Sequence, residues 1–207
     1  LYFFYFKQIF YYEYFSFCTL FFILGLSDDL KLNLRPKLRL LLMIISLIIL
    51  VIFNKFYIQN TGITFLNRLI EIDIFSLFFV CLCFLFIING SNLIDGYNGL
   101  LGIHSLIILI NLFFINFLGK NWDLALFILS SIVIIGSFLK YNFPKAKVFL
   151  GDGGAYFLGS FIAITTIKTS LAYPEISPFY FCILLFYLFF EVFFSFFRKL
   201  LKEKKSP

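Results

Sequence analysis

The chain is a succession of long apolar runs separated by short polar segments. A helix that crosses a hydrocarbon layer about 30 Å thick needs roughly 20 apolar residues. Six runs approach that length: residues 38–54, 74–90, 98–118, 122–140, 154–172 and 178–197. A seventh run, residues 8–26, is interrupted by Glu13. The runs are too long and too uniformly apolar for barrel strands, so the pattern predicts six to seven transmembrane helices.

The composition excludes an ordinary soluble domain. Hydrophobic residues make up 62% of the chain and charged residues 14%, whereas a soluble domain is about 45–50% apolar. A soluble protein of this kind would lack the polar residues to cover its surface. We therefore predict an all-α, polytopic transmembrane helical bundle that forms a single membrane domain over residues 1–207. Because residue 1 is Leu, we expect a piece of a longer protein.

The basic residues are distributed unevenly along the chain, whose net charge is +6. Twelve of the 17 lie in residues 27–39, 140–153 and the segment after residue 197. Pairs of spans separate these segments from one another and from residues 89–98, so all four lie on one face. Lys and Arg accumulate in cytoplasmic loops, which predicts a multi-pass protein of the plasma (inner) membrane with this face in the cytoplasm. The charge then has a membrane explanation, and we expect no nucleic-acid partner.

Four carboxylates fall on the same predicted face. Asp28 and Asp29, Asp95 and Asp152 lie in three separate segments, residues 27–39, 89–98 and 140–153. Acids near membrane depth usually mark function. Carboxylate and amide oxygens suit Mg²⁺, which typically uses one or two carboxylates plus substrate phosphates.

Glycines flank these acids and would let phosphates approach the backbone. A helix that begins after Gly153–Gly154 would direct its N–H groups at an anion. The residues therefore predict metal-assisted chemistry on a phosphate or diphosphate at the membrane surface. An ion-coupled membrane transporter also gathers acids and stays open as an alternative.

Three segments carry a resemblance to a known family. "GLSDDLKLNLRPKLRLLL" (25–42), "NLIDGYNGLLG" (92–102) and "NFPKAKVFLGDGGAYFLG" (142–159) resemble, in this order, motifs of the polyprenyl-phosphate N-acetylhexosamine-1-phosphate transferases. The resemblance implies transfer of an N-acetylhexosamine-1-phosphate from a UDP-sugar to polyprenyl (undecaprenyl) phosphate, with release of UMP. Such reactions begin cell-wall, lipopolysaccharide or O-antigen synthesis. The motif forms look closer to the antigen-type relatives than to the peptidoglycan enzyme.

The resemblance also implies roles for the four acids. Asp28 and Asp29 match the paired aspartates that deprotonate or position the lipid phosphate. Asp152 matches the aspartate that binds Mg²⁺, for which Mn²⁺ could substitute, and Asp95 matches an essential acid beside it.

Further positions are implied to bind substrate. Asn98 stands where many members have an Asp that contacts uridine, and Phe149 matches an aromatic residue that stacks on uracil. Asn142 matches a pocket amide, and Lys37 matches a basic residue that could face a phosphate. Asn92 either bridges helices or contributes to the site, and we prefer the second interpretation.

Two departures from the family pattern affect these expectations. The usual GDxGS ending is Gly151-Asp152-Gly153-Gly154-Ala155 here, without the hydroxyl. The family's His-rich cytoplasmic loop and early spans also have no counterpart in these 207 residues. We therefore expect a chain truncated at both ends, and an inactive remnant of the transferase stays open. The identity of the sugar and a homodimer are left undecided.

Overall fold

A computed structural model describes residues 12–32 and 35–203, which contain helices and no strand. The helices, in chain order, are α1 Tyr12–Asp29, α2 Pro36–Asn54, α3 Thr64–Ile70, α4 Asp73–Ile94, α5 Leu100–Leu118, α6 Trp122–Asn142, α7 Gly151–Ala172, α8 Pro178–Leu184 and α9 Phe186–Glu203. The predicted all-α bundle is confirmed. The protein is a multi-pass membrane protein.

Five helices are long and apolar enough to cross a membrane: α2, α4, α5, α6 and α7. They confirm the predicted spans 38–54, 74–90, 98–118, 122–140 and 154–172. α1 lies on the predicted seventh run but carries three carboxylates, those of Glu13, Asp28 and Asp29, and is not among these five. Residues 8–11 of that run lie outside the described residues.

The last predicted span is not one straight helix. α8 and α9 are bent by 61° at Leu185, and only together do they form a sixth candidate span. No Pro or Gly marks this break in the sequence. It lies beside Leu188, whose backbone rests on Gly90 of α4: a Cβ on Gly90 would come within 2.4 Å of the Leu188 carbonyl oxygen. The apolar pattern encodes neither this tertiary contact nor the bend beside it.

α7 is the central helix of the bundle. Of its most apolar window 72% is buried, against 22–44% for the other four spans. α1 packs along one side of α7 and α4 along another, while α5 contacts α7 and α6. Small residues allow these close approaches: a Cβ on Gly159 of α7 would lie 2.9 Å from the Cα of Ile88 on α4.

The three predicted loops meet at one end of the bundle, but helices occupy much of them. α1 continues through Asp29, α4 through Ile94 and α6 through Asn142. The predicted boundaries at 27–39, 89–98 and 140–153 were therefore too wide. These last helical turns can contain polar residues because the polar side chains form hydrogen bonds to the helix backbone. For example, Asn89 Nδ2 donates to the Leu85 carbonyl at 2.8 Å.

Candidate active site

The first direct link between the predicted loops joins Asp29 to the start of α7. Asp29 Oδ1 accepts from the Asp152 backbone N–H and Oδ2 from the Gly153 N–H, both at 3.0 Å. An acidic side chain stabilises the positive end of a helix. The anion at this helix N-terminus is thus a carboxylate of the chain itself. The prediction that the helix begins after Gly153–Gly154 was wrong, because α7 begins at Gly151.

Two glycines make this capping contact possible. A Cβ on Gly25 would lie 2.4 Å from the Asp152 carbonyl oxygen, so α1 and α7 touch through their backbones here. Gly151 has φ +68, and its Cβ would lie 2.7 Å from Asp29 Oδ2. The left-handed backbone conformation and the lack of space for a side chain both favour glycine at position 151.

Asp28 has a different partner from its neighbour. Its carboxylate forms an ion pair with Arg39 of α2. The Arg39 guanidinium also lies over the ring of Tyr156, 5.8 Å from the centroid, within the range of a cation–π contact. The two adjacent aspartates therefore connect α1 to two different helices.

Asn142 joins the second and third loops. Its Oδ1 accepts from the Gly99 N–H at 2.5 Å, and its Nδ2 donates to the Val148 carbonyl at 2.8 Å. Asn98 adds a bond from its Nδ2 to the Pro144 carbonyl at 3.2 Å. Asn142 is buried, whereas Asn98 is exposed. In this structure Asn142 holds the loops together rather than lining open space.

Asp95 lies just beyond the end of α4, near the other acids. Burial, together with the negative charges of Asp152 and Asp29, raises its pKa to about 6. Like charges disfavour ionisation in just this way. The three carboxylates therefore repel one another across the mouth of the bundle.

This repulsion bears on whether the residues suit a divalent cation. In residues 12–32 and 35–203 no group of three His, Cys, Asp or Glu side chains is arranged to hold a metal alone. Mg²⁺ usually relies on one or two carboxylates and takes its other ligands from water and phosphate. Asp152 with Asp95 fits that pattern, and a cation would relieve the repulsion. The donor set is compatible with the predicted metal, which stays a prediction.

The remaining predicted substrate residues are less connected. Lys37 and Phe149 are exposed, and Phe149 is 70% accessible. Asn92 Nδ2 lies 3.5 Å from the Tyr156 hydroxyl, a contact at the limit of a hydrogen bond. Asn92 thus bridges α4 and α7, the structural alternative considered for it. The roles of these side chains in catalysis or binding stay predictions.

Sequence reasoning missed Arg39 and Tyr156. Lys37 and Arg39 are two residues apart on α2 and so lie on opposite sides of that helix; Arg39 is the one that reaches Asp28. Tyr156 follows Asp152 by four residues on α7, which places it one turn deeper on the same face. That spacing was a usable signal.

An apolar cavity lies away from these residues. It has a volume of about 190 Å³ and lies between α4, α7 and α8, where its lining includes Phe84, Ile87, Thr166 and Phe181. None of the predicted site residues lines it. The predicted acids lie instead at the end of the bundle where the three segments meet.

Comparison with known proteins identifies this arrangement. The family model for glycosyl transferase family 4 matches residues 12–170, a range that contains all three converging segments. The chain belongs to glycosyl transferase family 4. The predicted family membership is confirmed.

Relatives in this family carry two kinds of name. The phospho-N-acetylmuramoyl-pentapeptide-transferase of Dictyoglomus thermophilum is 35% identical over 158 residues, 72% of this chain and 49% of the relative. The undecaprenyl-phosphate alpha-N-acetylglucosaminyl 1-phosphate transferase of Thermotoga maritima is 33% identical over 195 residues, 94% of this chain and 56% of the relative. A probable undecaprenyl-phosphate N-acetylglucosaminyl 1-phosphate transferase of Bacillus subtilis is 32% identical over 148 residues, 70% of this chain and 40% of the relative.

The relatives differ from this chain in length and from one another in name. The chain spans about half the length of the curated relatives that it matches. Because both kinds of name occur at similar identity, the expected closeness to antigen-type relatives stays a prediction.

Proposed function

We propose that the complete protein transfers an N-acetylhexosamine-1-phosphate from a UDP-sugar to polyprenyl phosphate and releases UMP. The observation that supports this most is the linkage of three motif segments at one end of a membrane bundle: Asp29 bonds to the Asp152 and Gly153 amides, and Asn142 bonds to Gly99. A member of this family that gathers its acids at one surface can meet a lipid phosphate and a water-soluble nucleotide together.

The proposed reaction exchanges one P–O bond for another. An oxygen of the polyprenyl phosphate attacks the β-phosphorus of the UDP-sugar, and the bond from that phosphorus to the bridging oxygen breaks, so UMP leaves with the electron pair. The anomeric bond of the sugar stays intact. Both reactants are anions, so the site must above all reduce charge repulsion.

The two paired aspartates take different parts in this proposal. Both carboxylate oxygens of Asp29 are bonded to α7, so Asp29 orients Asp152. Asp28 shares Arg39, and this pair is suited to meet the lipid phosphate: the guanidinium can bind its oxygens in a bidentate manner, and Asp28 can accept its proton.

Asp152, with Asp95, would hold Mg²⁺ or Mn²⁺. The bound cation would supply positive charge that neutralises the diphosphate and stabilises the departing UMP. On the nucleotide side, exposed Phe149 is available for stacking on uracil, and Asn98 and Lys37 for polar contacts.

We further propose that this end of the bundle faces the cytoplasm of the plasma membrane. The uneven distribution of basic residues supports that orientation, and nucleotide sugars would then reach the site directly. The acids of the three motif segments lie together at one end of the bundle, which favours the transferase over the transporter alternative.

The test is UMP release from UDP-N-acetyl sugars by membranes that contain the complete protein and added polyprenyl phosphate. Asp152→Ala should reduce turnover by about 10²–10³-fold, the usual cost of removing one transition-state stabilising group. Glu71→Ala, an exposed acid at the opposite end, is the matched control. Unaltered turnover in Asp152→Ala would overturn the metal assignment, and no UMP release by the wild type with any sugar would overturn the function.

A further inference from the structure

A second ion pair joins α1 to α7, far from the candidate site. Lys168 Nζ lies 2.5 Å from Glu13 Oε1, and the two side chains are 12% and 13% exposed. Lys168 Nζ also lies 5.2 Å from the centroid of the Tyr14 ring. The proposed chemistry uses neither charge, so their burial needs another explanation.

The spacing of this pair matches the spacing of the site. Sixteen residues separate Glu13 from Asp29 on α1, and sixteen separate Asp152 from Lys168 on α7. At 1.5 Å per residue each separation is about 24 Å. The two helices are antiparallel. The Glu13–Lys168 pair therefore links them at one end of their interface, and the Asp29–α7 contact links them at the other end, the same distance along each helix.

The α1 surface between these two links is mostly apolar. The buried residues Tyr14, Cys18, Phe21 and Gly25 recur at intervals of four and three, which is the stripe of one helix face. Apolar contact is not directional and by itself permits neighbouring registers. Two weaker polar contacts support the same register: the Tyr14 hydroxyl with Thr165 Oγ1 at 3.2 Å, and Cys18 with the Ser160 side chain.

The ion pair resists sliding more strongly than these contacts do. A shift of α1 along α7 would separate two opposite charges inside a membrane bundle, where a charged side chain is costly. The same shift would pull Asp29 away from the Asp152 and Gly153 amides. The two ends of the interface are therefore mechanically connected through a rigid helix.

We propose that Glu13 and Lys168 are positioning residues that fix the axial register of α1 on α7 and thereby hold Asp29 on the first amides of α7. The part of this inference that concerns turnover rests on the proposed function, while the part that concerns register does not.

Cross-linking measures the register without any need for activity. Native Cys18 can be paired with Ser160→Cys in the complete protein, after Cys81, Cys83 and Cys182, and every cysteine outside these 207 residues, are changed to Ser. We expect Cu(II)-phenanthroline to form the disulfide readily in membranes. Glu13→Gln and Lys168→Met should each slow it, whereas the exposed controls Glu71→Gln and Lys55→Met should leave its rate unchanged.

Turnover supplies the second readout. A misplacement of about 1 Å can reduce a rate about 100-fold, so we expect kcat of Glu13→Gln to fall about 10- to 100-fold with KM for both substrates within about twofold. If Glu13 acts through Asp29, its effect should largely disappear in an Asp29→Asn background. The charge swap Glu13→Lys with Lys168→Glu should restore cross-linking and most of kcat.

Several outcomes would contradict the inference. It is overturned if the single variants fold and cross-link at the wild-type rate, if the effects of Glu13→Gln and Asp29→Asn on kcat multiply, or if the charge swap restores the amount of folded protein but neither readout. If Glu13→Gln does not fold, Glu13→Asp and the charge swap carry the same test. A wild type that cross-links as expected but releases no UMP would refute the proposed function and leave the register inference standing.

Discussion

Replacing Gly25 by Ala tests whether backbone contact between α1 and α7 builds the site. A Cβ on Gly25 would lie 2.4 Å from the Asp152 carbonyl oxygen, 2.5 Å from its carbonyl carbon and 2.6 Å from the Gly153 Cα. All three are backbone atoms of α7, so no side-chain rotation can relieve the clash. Ordinary contacts begin at 3.4 Å, and α1 must therefore retreat by about 1 Å.

The magnitude follows from what that retreat breaks. The two bonds from the α7 amides to Asp29 are 3.0 Å long, and about 1 Å of retreat would lengthen them beyond hydrogen-bonding distance. Overpacking costs about 1–3 kcal/mol, and each lost bond to a charged group costs about 1.5–3 kcal/mol. Because relaxation will recover part of this sum, we expect destabilisation by about 2–4 kcal/mol. Turnover should fall about 100-fold, the scale of a 1 Å misplacement.

The measurement is the melting temperature of the purified complete protein together with UMP release in membranes. Gly136→Ala is the matched control, because no atom lies within 4 Å of a Cβ at that position on α6 and Ala favours a helix over Gly by up to about 1 kcal/mol. The control should melt at the wild-type temperature or above. If Gly25→Ala instead matches the control in both assays, α1 and α7 do not meet as described.

Three further predictions concern other parts of the site. Asn142→Ala removes both loop contacts and should cost about 2–4 kcal/mol, seen as faster proteolysis within residues 143–150; equal cleavage rates would contradict this role. Arg39→Lys should lower turnover at least about tenfold although charge is kept, because Lys cannot form the bidentate pair; a fully active variant would exclude a specific guanidinium contact. The pKa of Asp95, raised to about 6, means that metal-free protein loses stability as pH rises from about 4 to 6, since the folded state holds its proton longer than the unfolded state. Asp95→Asn should then be more stable than the wild type above pH 6, by on the order of 1 kcal/mol after discounting for exposure, and should melt at the same temperature as the wild type at pH 4. A difference in melting temperature that does not change with pH would be inconsistent with the raised pKa.

The bundle was predictable because hydropathy reports directly on which segments need lipid. The five confirmed spans differ from the observed helices by a few residues at their ends, where Asn89 and Asn92 continue α4 although their polarity suggested a loop. The bend at Leu185 was not predictable. No Pro or Gly marks it, and no local residue preference encodes the contact of Leu188 with Gly90 that lies three residues after it.

The gathering of the three segments was also predictable, from the parity of the spans. The division of work between Asp28 and Asp29 was not, because adjacent residues share one sequence context yet point about 100° apart on a helix. Arg39 was missed for a similar reason. Arg39 and Lys37 are both basic residues in the same segment, and only the side of α2 on which each lies distinguishes them.

The occupied N-terminus of α7 changes how phosphate recognition must work at this end. A free helix N-terminus is a ready anion site, and the glycines around Asp152 suggested that use. In the structure Asp29 already accepts from the Asp152 and Gly153 amides, so a substrate phosphate would have to displace a carboxylate that is tied to a rigid helix. For the reaction proposed above, positive charge facing the two phosphate-bearing substrates would then come from side chains such as Arg39 or from a cation on Asp152. On the proposal made above, the repulsion among Asp29, Asp95 and Asp152 would favour a divalent cation. Excess negative charge before the substrate arrives would attract that cation, which the neutral amides of a helix end could not do.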